Sequence, residues 1–204
     1  MRYARFDEDL TKKEKDSIMI YYIMNVKKHL YFQNRIRKSA RIYLAKSPAY
    51  ICKIDTIYEA FPGCKVIYLE RDPVEALPSW ISMNSTVFRI FNSPKKEYPL
   101  KENTMELLKS WLHSANEKLS RKDASTYCRV DYNHLIHFPG LAIKDIYSHF
   151  HIVLSDNYER IIDEISLGQK NYKSPHSYSL QMMGLDKSTI EKEFAAYKSA
   201  IGQS

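Results

Sequence analysis

Apolar residues in the first part of the chain recur at helical spacing. Met19, Ile23, Val26 and Leu30 fall four, three and four apart, which is the stripe of a helix that packs one side and leaves the other to solvent. Thr11-Lys-Lys-Glu14 precedes them. This is a capping-box sequence, whose hydroxyl and carboxylate satisfy free N–H groups of the first turn. A helix is therefore predicted from there to about Lys38. Arg41–Ala45 (R-I-Y-L-A) changes to a short β-rich run, predicted as a buried strand. Ser47-Pro48 supplies a cap and a proline for a first turn. Ile51, Ile54, Tyr58 and Phe61 then line one helix face, which Pro62-Gly63 ends. Lys65–Glu70 reads as a second strand. Asp72-Pro73-Val-Glu75 caps the next helix, with Glu75 at the capping-box position, and Pro78 is expected to kink or shorten it.

The same reading continues beyond a polar, proline-containing loop at Asn92–Lys101. A helix is predicted from about Thr104 to Ser120, with Leu108, Trp111, Leu112, Ala115 and Leu119 inward. Thr126–Val130 is the third strand. Leu141–Phe150 and Asp156–Leu167 are short helices, the second stopped by Gly168. Gln169–Met183 is irregular, and Ser188-Thr-Ile-Glu191 caps a last helix ending near Gly202. Strands that alternate with helices predict an α/β fold: a parallel sheet with helices on both faces. The 204 residues fit one domain, with a helical segment at 1–40, a β-α-β core at 41–135 and a helical part at 136–204.

Composition narrows the compartment. No apolar run approaches the ~20 residues a membrane span needs, and the opening M-R-Y-A-R-F-D-E-D has no apolar stretch of a secretory signal. Cys52, Cys64 and Cys128 lack metal-site or disulfide spacing. They read as small core residues of a reducing, cytoplasmic protein. Charge says more. Lys and Arg number 31 against 24 Asp and Glu, for a net charge of +7. Residues 17–54 hold eight of the cations and no acid, leaving 23 against 24 elsewhere. Such asymmetry suggests an anionic ligand (nucleotide, nucleic acid, sulfated or phosphorylated substrate, acidic lipid), and its ordinary explanation is a solvated helix face. Nucleic-acid binding rests on charge alone, with no motif behind it, and no nucleic-acid partner is expected. A nucleotide kinase needs a Gly-rich loop and a metal-binding acid, and there is no Gly before Gly63.

An internal echo places two cations. Residues 42–48, I-Y-L-A-K-S-P, repeat as 67–73, I-Y-L-E-R-D-P, 25 positions later. Two copies are too few for a solenoid and fit one right-handed β-α-β unit. Each copy reads as a strand, a cation at its carboxyl end and a capped helix. Ligands of open α/β sheets bind outside the carboxyl ends of strands, where helix N-termini offer free N–H groups. Lys46 and Arg71 are thus expected to stand on parallel strands at that edge, about 5 Å apart if the strands are adjacent, facing one phosphorylated or sulfated small molecule.

These residues resemble the sulfotransferase superfamily that uses 3′-phosphoadenylyl sulfate. K-S-P-A-Y (Lys46–Tyr50) is similar to the K-[ST]-P-x-[YH] segment of its bacterial and carbohydrate-type members. F-P-G-C-K-V-I-Y-L-E-R-D-P-V-E-A-L-P-S (Phe61–Ser79) resembles the segment that holds the donor's 3′-phosphate. V-D-Y-N-H-L (Val130–Leu135) resembles V-x-Y-E-D-L, with Asn and His in place of two acids. H-S-Y-S-L-Q-M-M-G-L (His176–Leu185) resembles the close of the bacterial-type group. The likeness runs from about Lys46 to Tyr197. It implies a three-layer fold like that of P-loop NTPases. It implies that Arg71 and Ser79 bind the 3′-phosphate, and that Lys46 also contacts the donor and neutralises charge on the bridging oxygen in the transition state. It implies a small-molecule, carbohydrate or lipid acceptor whose hydroxyl or amine is deprotonated by a base, with no metal required.

His176 is the candidate base within the resembling segments, against the ordinary reading of a loop histidine. His134, His137, His149 and His151 are spread over loop and helix by their spacing, and Asp131 reads as a strand end. Trp80, Phe88, Phe91 and Tyr98 are candidates for an acceptor pocket, although core packing explains the first three equally well. The family opens with a strand, a Gly/Ser/Thr-rich loop and a helix, and that loop cradles the 5′-phosphosulfate. The chain has no such unit before Arg41, so its fold is expected to be N-terminally incomplete. Three outcomes stay open: a partial product, a loop supplied by a second segment or by an oligomer, and a non-catalytic anion- or partner-binding module.

Overall fold

The computed structural model describes residues 3–37, 42–91, 100–169 and 179–200. In chain order the elements are α1 (Phe6–Asp9), α2 (Lys12–Arg37), a 3₁₀ helix (Pro48–Lys53), α3 (Ile54–Ala60), β1 (Val66–Glu70), α4 (Pro73–Ile90), α5 (Leu100–Ser120), β2 (Tyr127–Asp131), α6 (Tyr132–His137), α7 (Pro139–His149), α8 (Asp156–Gln169), α9 (Lys187–Glu193) and α10 (Ala195–Ala200). They form two compact units. One holds residues 1–64 with 110–119, and the other holds 65–109 with 120–204.

The first unit is helical. Thr11 opens α2 as its sequence demands: its Oγ1 accepts from the Glu14 N–H at 3.3 Å, and the Glu14 carboxylate accepts from the Thr11 N–H at 2.9 Å. Met19 and Val26 are buried on one side of α2. A helix of four residues cannot stand alone, and α1 is held from outside. Asp7 accepts from the Asp55 and Thr56 N–H groups at 2.9 and 3.3 Å, so it caps the start of α3. The same carboxylate meets the Lys118 ammonium at 3.0 Å, and Glu8 meets it at 2.6 Å. Trp111 Nε1 donates to the Ala4 carbonyl at 2.6 Å. The Lys118 and Asp7 side chains are only 5% and 6% exposed. Burial works against the Lys118 charge, but the Glu8 and Asp7 carboxylates outweigh it and hold its pKa above the ordinary lysine value.

The second unit carries the sheet. Among the described residues it has two strands, β1 and β2, which run parallel and pair Val66 with Tyr127 through Glu70 with Asp131. Arg129 donates to the Glu70 carboxylate across the pair, and Tyr68 is buried. Leu77 and Ile81 of α4 and Ile190 of α9 are also buried. Gly140 lets α7 approach α8, because a Cβ there would lie 2.6 Å from Ser166 Oγ.

This is the α/β arrangement that the alternation of strands and helices predicts, with more helix and less sheet. The inward residues assigned to α5 are all buried. Several local expectations are corrected. The described part of the predicted first strand, 42–45, is not a strand and is not buried: Ile42 and Leu44 are 73% and 82% exposed. An apolar run needs a neighbouring edge for its N–H and C=O groups, and the described pairing of β1 goes to β2 instead. Lys46 and Arg71 therefore do not stand on adjacent strands. Pro78 lies inside α4, which continues beyond it to Ile90. That proline sits early in the helix, where its missing N–H forfeits one bond. Glu75 does not close a capping box; its carboxylate lies 3.8 Å from Arg71 Nε. Gly168 lies within α8. The last helix is capped by Asp186 rather than Ser188, and it breaks into α9 and α10. Most of Gln169–Met183 lies outside the described residues.

Lys118→Met leaves Asp7 buried beside α3 without its cation. It is expected to destabilise the protein by ~3–5 kcal/mol, measured by urea denaturation. The folded pKa of Lys118 is raised, so its contribution is complete below the unfolded lysine pKa and is lost as pH rises through the folded value. From neutral pH upward, the gap between wild type and variant should stay level and then close only at strongly alkaline pH.

Candidate functional site

The carboxyl edge of the β1–β2 pair gathers the polar chemistry of the second unit. Glu70 and Asp131 end their strands in the same register, so both chains leave the sheet together. Each turns at once into a helix. Asp72 caps α4 by accepting from the Val74 N–H at 2.8 Å, and Asp131 caps α6 by accepting from the His134 N–H at 2.7 Å. A second Asp72 oxygen accepts from Lys198 Nζ at 2.9 Å, tying α10 to the start of α4.

Arg71 stands between the end of β1 and the cap of α4. Its guanidinium lies over the Tyr132 ring, 4.4 Å from the centroid, as cation–π geometry favours. Its Nε is enclosed and makes no hydrogen bond, although about a third of the side chain (32%) remains exposed. The nearest carboxylate is Glu75, at the loose distance of 3.8 Å. Ser79 follows Glu75 by four residues on α4, so the two share a helix face, and Ser79 is half-buried. The start of α4 adds the positive end of an 18-residue helix dipole. A fixed planar cation, a hydroxyl one turn beyond its acidic neighbour and a helix N-terminus make an arrangement suited to a phosphate-sized anion.

Beneath this edge Tyr68 and Tyr197 are both buried, and burial pushes both phenol pKa values upward. They are neutral structural groups. Arg129 lies 5.5 Å over the Tyr68 ring while it pairs with Glu70.

The other predicted residues fall elsewhere. Lys46 is exposed in the extended stretch just before Ser47, whose hydroxyl accepts from the Ala49 N–H at 3.3 Å; it belongs to the first unit. His176 and Tyr98 lie outside the described residues. Trp80 and Phe88 are half-buried on α4, and Phe91 is 80% exposed, so core packing does not explain Phe91. Three of the four clustered histidines have local partners. His149 Nε2 donates to the Tyr127 and Ala124 carbonyls at 2.7 and 3.0 Å, and His137 Nδ1 lies 2.7 Å from the Asn133 carbonyl. His134 faces Asp145 at 3.5 Å. Among the described residues no group of three or more His, Cys, Asp or Glu is arranged to hold a metal ion. Sequence reasoning missed Tyr132, Glu75 and Lys198 as neighbours of the site. The pairing of the second and third predicted strands was the signal that could have found Tyr132.

Asp72→Ala removes the cap of α4 and the partner of Lys198. A loss of about 1–2 kcal/mol in chemical denaturation is expected, and the negative signal of helix at 222 nm should fall little.

A family model described as "Sulfotransferase family" matches residues 2–156. Two curated relatives, from Mycobacterium bovis and Mycobacterium tuberculosis, are each named omega-hydroxy-beta-dihydromenaquinone-9 sulfotransferase Stf3. Each is 22% identical over 152 residues, which are 74% of this chain and 38% of the relative. The chain thus spans about two fifths of the length of these proteins. Among solved structures, sulfotransferase STF1 of Mycobacterium tuberculosis matches with a TM-score of 0.57 and 24% identity, over 74% of this chain and 38% of that one. That likeness speaks for the fold.

Proposed function

The chain belongs to the sulfotransferase family, and from that premise we propose that it transfers a sulfuryl group from 3′-phosphoadenylyl sulfate to a small acceptor. The observation that carries the reading is Arg71. It is a guanidinium laid flat on Tyr132, with an unbonded, enclosed Nε, at the point where β1 gives way to the capped start of α4. Arg71 and Ser79 take the donor's 3′-phosphate, the group that distinguishes this donor from ordinary adenine nucleotides. The guanidinium binds a phosphate through paired N–H groups, and the hydroxyl donates one bond more.

Lys46 takes the bridging oxygen between sulfate and phosphate. The acceptor oxygen bonds to sulfur as the bond from sulfur to that oxygen breaks. Charge grows on the leaving 3′,5′-diphosphoadenosine, and an ammonium there stabilises it. His176 accepts the acceptor's proton. The mycobacterial relatives are named for a hydroxylated menaquinone, so a hydroxyl on an apolar small molecule is the acceptor class taken first, ahead of sugars and amines.

Calorimetry with 3′,5′-diphosphoadenosine tests the donor site. Binding is expected to exceed that of 5′-AMP, and Arg71→Ala should weaken it at least about tenfold. Equal affinity for the two nucleotides rules out a 3′-phosphate site at Arg71. Lys46→Ala is expected to lower the transfer rate far more than donor affinity, and the opposite order removes Lys46 from the reacting bond.

A further inference from the structure

The net charge of +7 has its source in residues that the donor reading leaves almost unused. Helix α2 buries one side through Met19 and Val26. On its solvent-facing surface Ile20, Met24, Tyr31, Phe32 and Ile36 are 60%, 51%, 57%, 62% and 74% exposed. Helical spacing sets Lys28 and Arg35, both exposed, among them, with Lys27 exposed on the flank. From Ser17 to Ile54 no acidic residue interrupts it. Tyr43 packs edge-on against His29 at 5.7 Å, so the extended stretch after α2 lies along the helix and adds the exposed Ile42 and Leu44.

We propose that this face of α2 seats on the surface of an anionic lipid bilayer. Exposed apolar and aromatic side chains with cations beside them and no acid among them suit a helix lying on an anionic surface. Its apolar groups enter the boundary between headgroups and acyl chains, and its cations pair with headgroup phosphates. No described helix is long and apolar enough to cross a membrane, so the helix lies in the interface. Nucleic acid is the poorer match, since phosphate contacts leave Ile20, Met24 and Ile36 in water. A second copy of the chain is poorer still, because a two-fold contact sets the same cations against each other. The inference rests on α2 alone and holds whether or not Arg71 binds the donor.

The test is co-sedimentation of the full chain with vesicles of phosphatidylcholine alone and of phosphatidylcholine mixed with phosphatidylglycerol, at low and high salt. Binding is expected to the mixed vesicles, weakened by salt. Phe32→Ser with Ile36→Ser, and separately Lys28→Glu with Arg35→Glu, should each reduce it about tenfold. Both pairs are exposed, and unchanged circular dichroism and an unchanged urea midpoint show that the fold is kept. The proposal is overturned if the wild type ignores both vesicles, or if only the charge variant loses binding. It is equally overturned if the apolar variant merely abolishes self-association in sedimentation velocity, or if duplex DNA binds the face and displaces the vesicles.

Discussion

The second unit depends on the register of one parallel strand pair. With Glu70 level with Asp131, the two chains leave the sheet at the same height. Each must satisfy the free N–H groups of a helix that begins within three residues, and an aspartate does so in both places. A slip of one residue turns every side chain of a strand to the other face. The slip would carry Arg129 away from Glu70 and would part the Arg71 guanidinium from Tyr132. The position of the site cation is therefore set by backbone pairing, with the stacked ring as its floor.

The first unit meets a different constraint. Its shortest helix, α1, contributes a carboxylate that is the cap of α3 and the counter-ion of a lysine on α5 at once. A buried pair of this kind adds little over an apolar replacement of both partners, yet is costly when only one is removed. It therefore fixes which surfaces meet more than it adds net stability. The hydrogen bonds to Asp55 and Thr56 complete the set, so the carboxylate has partners on several sides.

Much of this was legible because the local signals were strong. The capping box at Thr11 and Glu14 formed with both of its bonds. The inward stripe of α5 was right at every position named, because five apolar residues at helical spacing leave one packing choice. Resemblance in ordered segments found the family, which the match over residues 2–156 bears out. The failures share a cause. Ile42 and Leu44 have the composition of a strand, but composition does not supply a partner edge, and tertiary pairing decides. The echo between 42–48 and 67–73 was real as sequence and misleading as geometry. The feature it promised, two strand ends each handing over to a capped helix, exists at β1 and β2. The ring that holds Arg71 lies in the second of these, in a segment read mainly for its acids and histidines.

Arg71 also shows how a guanidinium can be held in place without a full ion pair. Glu75 lies near enough to orient the guanidinium and too far, at 3.8 Å, to bond Nε. A carboxylate at hydrogen-bond distance would compete with any incoming phosphate, and the absence of a carboxylate would leave a long flexible side chain to be ordered on binding. Stacking on Tyr132 restricts that freedom while leaving the in-plane N–H donors their directions. The ordering cost is then met by folding, and under the proposed function a phosphate at the start of α4 would displace only water and a weak ion pair.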